Sequence, residues 1–229
     1  MQVRELLRLK YLKRYYAGRF ISNFGNGMSP VALAFGILHL KNGSPTILGW
    51  VLGSATLSML IVAPFGGVIA DKFGRVRMAG IADTWGSLGL FVQAAFFIHG
   101  SVPIWLMFVV NINFGFMWGI FWPANSGITP ALVPEEHLQK ANAFSNLFTN
   151  TSMIMGAATG GFLVAQFGAG WALLIDASTF LISGILVLSF SHKVHARSDS
   201  EEPMLDDLKD GWREFLSYKW IVVEVAGFS

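Results

Sequence analysis

The stretch Ile47–Ala70 contains no charged residue and is almost wholly apolar. A helix needs about 20 such residues to cross the hydrocarbon core of a bilayer. Beyond it the turn Asp71-Lys72-Phe73-Gly74-Arg75-Val76-Arg77 carries three cations, and a second apolar run starts at once with Met78. Two membrane-crossing helices joined by a short basic corner is the arrangement this spacing predicts. Any fold for the chain must accommodate it.

The same pattern recurs along the sequence. Six spans are expected, at Ala17–Leu40, Ile47–Ala70, Met78–His99, Pro103–Ile128, Ala143–Phe167 and Trp171–Phe190. Hydrophobic residues make up 53% of the chain and charged residues 13%, with a mean hydropathy of +0.53. A water-facing surface needs more charge than that. With the N-terminus inside, every Lys and Arg except Lys41 falls on the cytoplasmic side, and this asymmetry sets orientation. The basic residues sit in short loops and form no continuous stripe, so nucleic acid is not an expected partner. There is no cysteine, hence no disulfide and no thiolate metal site. Neither a metal nor a cofactor is expected, and no nucleophile–base pattern points to an enzyme.

The chain divides into four parts. Residues 1–16 read as a basic cytoplasmic segment lying on anionic headgroups, with Arg4, Arg8, Lys10, Lys13 and Arg14 among leucines. Residues 17–191 hold the six spans. Residues 192–219 are a cytoplasmic linker in which Pro203 opens an amphipathic helix carrying Leu205, Leu208, Trp212 and Phe215. Residues 220–229 begin another apolar run too short to cross, read as the truncated start of a seventh helix.

An internal repeat runs through the spans. Gly66-Gly67 through Phe73-Gly74 can be laid over Gly160-Gly161 through Phe167-Gly168, and Asp83 and Asp176 follow the two copies at nearly the same distance. One copy ends the second span and the other the fifth, at opposite faces. The chain is therefore expected to be all-α, with six transmembrane helices as two inverted three-helix repeats.

The sequence Gly67-Val68-Ile69-Ala70-Asp71-Lys72-Phe73-Gly74-Arg75-Val76-Arg77 resembles the signature loop between the second and third helices of major facilitator superfamily transporters. Trp122-Pro123-Ala124, Leu132-Val133-Pro134-Glu135, Ala141-Asn142-Ala143 and Asp176-Ala177-Ser178-Thr179-Phe180 are similar to the branch that holds the enterobactin exporter and macrolide efflux pumps. The resemblance implies half of a twelve-helix carrier in the plasma membrane, an antiporter-like efflux system for a small amphipathic drug or siderophore. Its partners would be the lipid bilayer, the small-molecule substrate, a proton or other coupling ion and a missing C-terminal six-helix half. The competing expectation is a non-transporting six-helix protein that binds another carrier half.

The resemblance also assigns a conformational latch to the loop of Gly67, Asp71, Gly74, Arg75 and Arg77. An acid at a helix C-terminus opposes the helix dipole, so Asp71 calls for a compensating cation. Asp83 and Asp176 lie inside spans, where ionisable groups are costly and mark function by default. Two readings stand for them: proton coupling, or carboxylates held near helix N-termini by neighbouring donors. Arg19 is expected to snorkel toward the inner interface. Asn23 and Asn26 share a face of the first span. With Asn113, Phe116 and Trp118 they are candidates to line the substrate cavity, or to bond between helices. Gly156, Gly160 and Gly161 are expected to permit close helix packing. They resemble an antiporter motif in which Ala157 replaces a proline.

Overall fold

The computed structural model describes residues 11–194. The Arg4–Lys10 part of the basic segment, the amphipathic helix after Pro203 and the run 220–229 lie outside the described residues. Six long helices build the described residues: α1 (Leu12–Leu38), α2 (Pro45–Phe73), α3 (Arg75–His99), α4 (Ile104–Ser126), α5 (Leu138–Phe167) and α6 (Ala169–Ser191). Between α4 and α5 lie one helical turn, Ile128–Leu132, and a 3₁₀ turn, Glu135–His137. No strand occurs among the described residues.

Local chemistry explains most of the boundaries. Ser44 caps α2, its hydroxyl accepting from the Ile47 amide at 3.2 Å, and Pro45 occupies the first turn where its missing N–H costs nothing. These signals start α2 before the apolar run does. Pro134, Glu135 and Glu136 likewise form a tight turn that hands over to α5, which begins at Leu138 rather than at Ala143. The first helix begins at Leu12 and not at Ala17. Leu12, Tyr15 and Tyr16 are buried, so the end of the presumed surface segment belongs to the bundle. Tyr16 donates to the Ala141 carbonyl at 3.1 Å and Tyr15 to Asn125 at 2.7 Å, tying this end of α1 to α5 and α4.

α2 to α6, two of them (α4 and α5) with their adjoining turns, are long and apolar enough to cross a membrane. α1 is as long but carries Arg19, Ser22, Asn23, Asn26 and Ser29, all of them at least partly buried between its neighbours. A chain satisfying all its backbone groups within helices can sit in hydrocarbon.

The packing follows the repeat. α2 lies along α4 as α5 lies along α1; α3 touches α4 as α6 touches α1; and α3 and α6 pack on each other at the centre. Exchanging α1–α3 for α4–α6 leaves the arrangement unchanged. Each repeat has an odd number of alternating helices, so the copies are inverted. Individual contacts obey the same exchange. Gly119 sits against Met59 and Ala63, and Gly27 against Met153 and Ala157, residues equally spaced before Gly66 and Gly160.

The corners match too. A single glycine joins α2 to α3 and α5 to α6, and Gly74 and Gly168 have φ of +92° and +88°. A side chain would strain the backbone at either corner. Phe-Gly recurs in the sequence because both turns need it.

Candidate functional site

Two polar centres lie inside the bundle, one nearer each end. The first surrounds Asp83 on α3, whose side chain is 3% exposed. Ser183 of α6 donates to its Oδ2 at 2.8 Å, and Arg19 of α1 reaches the same oxygen at a long 3.4 Å. Arg19 also donates to Ser22 and Asn23, and its guanidinium stacks on Phe121 of α4 at 4.4 Å. Asn23 in turn donates to Thr149 of α5 at 3.1 Å. One connected network thus touches five helices. Arg19 does not snorkel to the interface: an inward carboxylate and an aromatic face both attract it. Asn23, expected in the cavity, is one of the groups that hold it.

The second centre surrounds Asp176 on α6, which is fully buried. Ser29 lies beside it and Gly25 packs against it, close enough that a Cβ there would overlap the carboxylate and Thr179. Yet no donor reaches either carboxylate oxygen in hydrogen-bonding geometry among the described residues. Asp83 and Asp176, equivalent by repeat, therefore differ in chemistry: one has a cation and a well-directed hydroxyl, the other only the loosely placed Ser29 hydroxyl and no cation.

Beside the second centre is a partly open cavity of about 270 Å³ lined by α1, α2, α3 and α4. Its polar lining includes Asn26, Ser29, Gln93 and Asn111, and its apolar walls include Phe114 and Trp118. Of the residues proposed for a substrate cavity, Asn26 and Trp118 line this one. Asn113 and Phe116 are not. Asn113 accepts from the Trp85 indole at 3.0 Å on the outer surface, and Phe116 shares an exposed face of α4 with Trp105, Val109 and Ile112. Residues two apart on a helix do not share a face, so Asn111 takes the inward place expected of Asn113. Gln93 was missed, although a lone amide in an apolar span is itself a signal.

At the corner after α2, Arg75 Nε donates to Asp71 Oδ1 at 2.6 Å, and both side chains are partly exposed. The Arg75 guanidinium lies against Gly127, the C-cap of α4, where a cation complements the helix dipole. Gly67 approaches Pro123 of α4, and Arg77 is exposed.

Of the three packing glycines, two make close contacts. Gly156 abuts the Phe24 backbone, and a Cβ at Gly160 would lie 2.9 Å from Met28 Cα. Gly161 packs nothing: no atom stands within 4 Å of a Cβ there. One residue on, the helix has turned about 100° and carried it off the contact that Gly160 makes with α1.

The family model described as Major Facilitator Superfamily matches residues 15–229. The chain belongs to that superfamily. It is 30% identical to the enterobactin exporter EntS of Salmonella typhi over 77% of this chain and 44% of the relative. It is 25% identical to macrolide efflux protein A of Streptococcus pyogenes over 75% of this chain and 42% of that protein. Likeness to an uncharacterized MFS-type transporter of Bacillus subtilis, YkuC, extends over 98% of this chain at 25% identity and covers 54% of the relative. The chain spans about half the length of these curated relatives. It is a membrane protein of a transporter family, and its six helices form one half of the superfamily's fold.

Proposed function

We propose that this superfamily member works within a secondary active carrier that exports a small amphipathic compound down an ion-coupled cycle of alternating access. The observation that carries this reading is the cavity among α1, α2, α3 and α4, mostly apolar with a few polar side chains such as Asn26, Ser29 and Asn111. Inverted repeats allow such a site to face either side in turn as two halves rock about it. A second six-helix half would complete the site. The names of the relatives, a macrolide efflux protein and an enterobactin exporter, support export of a drug or siderophore.

Lys and Arg placement supports an orientation with the Asp71 corner in the cytoplasm. There Asp71 holds Arg75 across the end of α4, and the pair acts as a latch that couples α2 and α3 to α4. Asp176 carries the coupling proton in this reading, because it is fully buried with no cation beside it and only a loosely placed Ser29 hydroxyl. Asp83, engaged by Arg19 and Ser183, keeps a structural role.

The test is transport by the carrier in sealed vesicles, with and without an imposed proton gradient, using a macrolide and a catecholate siderophore as cargoes. Gradient-dependent movement of either, abolished by Asp176→Asn and retained in Asp83→Asn among protein that inserts normally, is the expected result. Movement indifferent to the gradient would refute ion coupling, and no movement of either cargo would refute the substrate class.

A further inference from the structure

The end of the bundle opposite the Asp71 corner holds another partly open cavity, about 640 Å³ in volume. The repeat explains why it is there. Laying Gly66–Gly74 over Gly160–Gly168 carries Asp71 onto Ala165, Arg75 onto Ala169 and Arg77 onto Trp171. The surroundings correspond as well. At one end Arg75 lies against Gly127, the C-cap of α4. At the other, Ala169 lies against Gly36 in the last turn of α1, where an added Cβ would stand 3.0 Å from the Ala169 Cβ. Two alanines thus leave open the space that the Asp71–Arg75 pair fills, and both line the cavity.

The helix ends around that space still favour positive charge. The C-caps of three helices, His39 of α1, Gly100 of α3 and Gly168 of α5, border the cavity, and only α6 begins there. A helix C-terminus carries about half a negative charge and an N-terminus about half a positive one, so together these ends leave the cavity negative. No Lys, Arg, Asp or Glu lines it. Its one ionisable side chain is His39, whose Nδ1 donates to the Phe35 carbonyl at 2.7 Å. Much of the wall is aromatic. Phe35, Phe167 and Trp171 line it and remain 52%, 62% and 48% exposed, so ring surface is open to a ligand. Ring faces attract cations, and the indole of tryptophan does so best.

We infer that this cavity is a binding site for an organic monocation, a flat aryl amidinium or guanidinium, seated where the Arg75 guanidinium sits at the other end. The chain itself supplies the template, since one corner already places such a group against the end of a helix. A neutral amphiphile gains the ring contacts alone. A carboxylate meets the unfavourable ends of three helices. The site shares no lining residue with the 270 Å³ cavity and does not depend on the transport reading.

The experiment uses three nearly isosteric probes, naphthalene-2-carboxamidine, naphthalene-2-carboxamide and naphthalene-2-carboxylate, which are positive, neutral and negative near neutral pH. Binding to the chain in phosphatidylcholine nanodiscs is measured by equilibrium dialysis, and empty nanodiscs correct for partition into lipid. The amidine should bind on the order of tenfold more tightly than the amide. Ala169→Arg puts the chain's own guanidinium into the space and should abolish saturable binding of the amidine. Trp171→Leu removes one half-exposed ring and should narrow the amidine-to-amide ratio to about threefold or less while the amide still binds. This second variant keeps the test decisive where Ala169→Arg does not insert. Equal binding of amidine and amide would overturn the assignment, as would tightest binding of the carboxylate, which would point to the N-terminus of α6. No saturable binding of any probe would leave the space to lipid or water and overturn it too. So would amidine binding unchanged in either inserted variant, because the site would then lie elsewhere in the bundle.

Discussion

Replacing Arg19 by methionine should destabilise the bundle by about 3–5 kcal/mol, the cost of leaving one member of a buried ion pair without its partner. The geometry sets this scale. Asp83 is 3% exposed and Arg19 13%, so water screens neither charge effectively. After the change Asp83 would keep only the Ser183 hydroxyl, a single bond for a full charge. Loss of the guanidinium from the Phe121 face adds about 1 kcal/mol. Methionine preserves the apolar stem, which isolates the effect of charge. Asp83→Leu should cost a similar amount, because it strands Arg19. The double variant removes both charges and should lie within about 1 kcal/mol of the parent. The assay is SDS-induced unfolding in mixed micelles followed by tryptophan fluorescence, arranged as a double-mutant cycle. Single costs that add in the double variant to within about 0.5 kcal/mol would mean no coupling. The network around Asp83 would then be a coincidence of placement.

Other predictions follow from the corners and contacts. Asp71→Asn should leave membrane insertion intact, measured by extraction and protease protection, while reducing transport at least tenfold. Full activity would remove the latch. Gly74→Ala places a Cβ on a backbone with φ of +92° and should cost about 1–2 kcal/mol in the same unfolding assay. Gly160→Leu forces α5 away from Met28 and should cost about 2 kcal/mol or more, whereas Gly161→Leu should change stability by less than about 0.5 kcal/mol. Equal effects at these adjacent glycines would contradict the α1–α5 packing.

Much of the architecture could be read from the chain because hydrocarbon imposes a length on every crossing helix. The repeat was visible for a related reason. Phe73-Gly74 and Phe167-Gly168 each make a one-residue corner, and a backbone with positive φ leaves its mark as glycine. Side-chain partners were harder. Asp83 and Asp176 look alike in sequence, but Ser183 supplies a donor to one from a hundred positions away, and nothing local announces that. Arg19 stands near the end of an apolar run, the usual setting for snorkelling, and only the meeting of α1 with α3 and α4 reveals its partners. Asn111 and Asn113 were separable only once the rotation of α4 was fixed by its neighbours. Gln93 was legible in principle, as a solitary amide among aromatic and aliphatic residues.

The glycine corners have a mechanical consequence. With one residue between helices there is no slack, so any tilt of α2 is passed to α3 through Gly74, and any tilt of α5 to α6 through Gly168. α3 and α6 are pressed together at the centre and resist sliding, which makes them a keel. Because α2 lies along α4 and α5 along α1, a tilt of either would also carry that neighbour against the keel, and lengthening either corner by a few flexible residues would uncouple the two while leaving every helix in place.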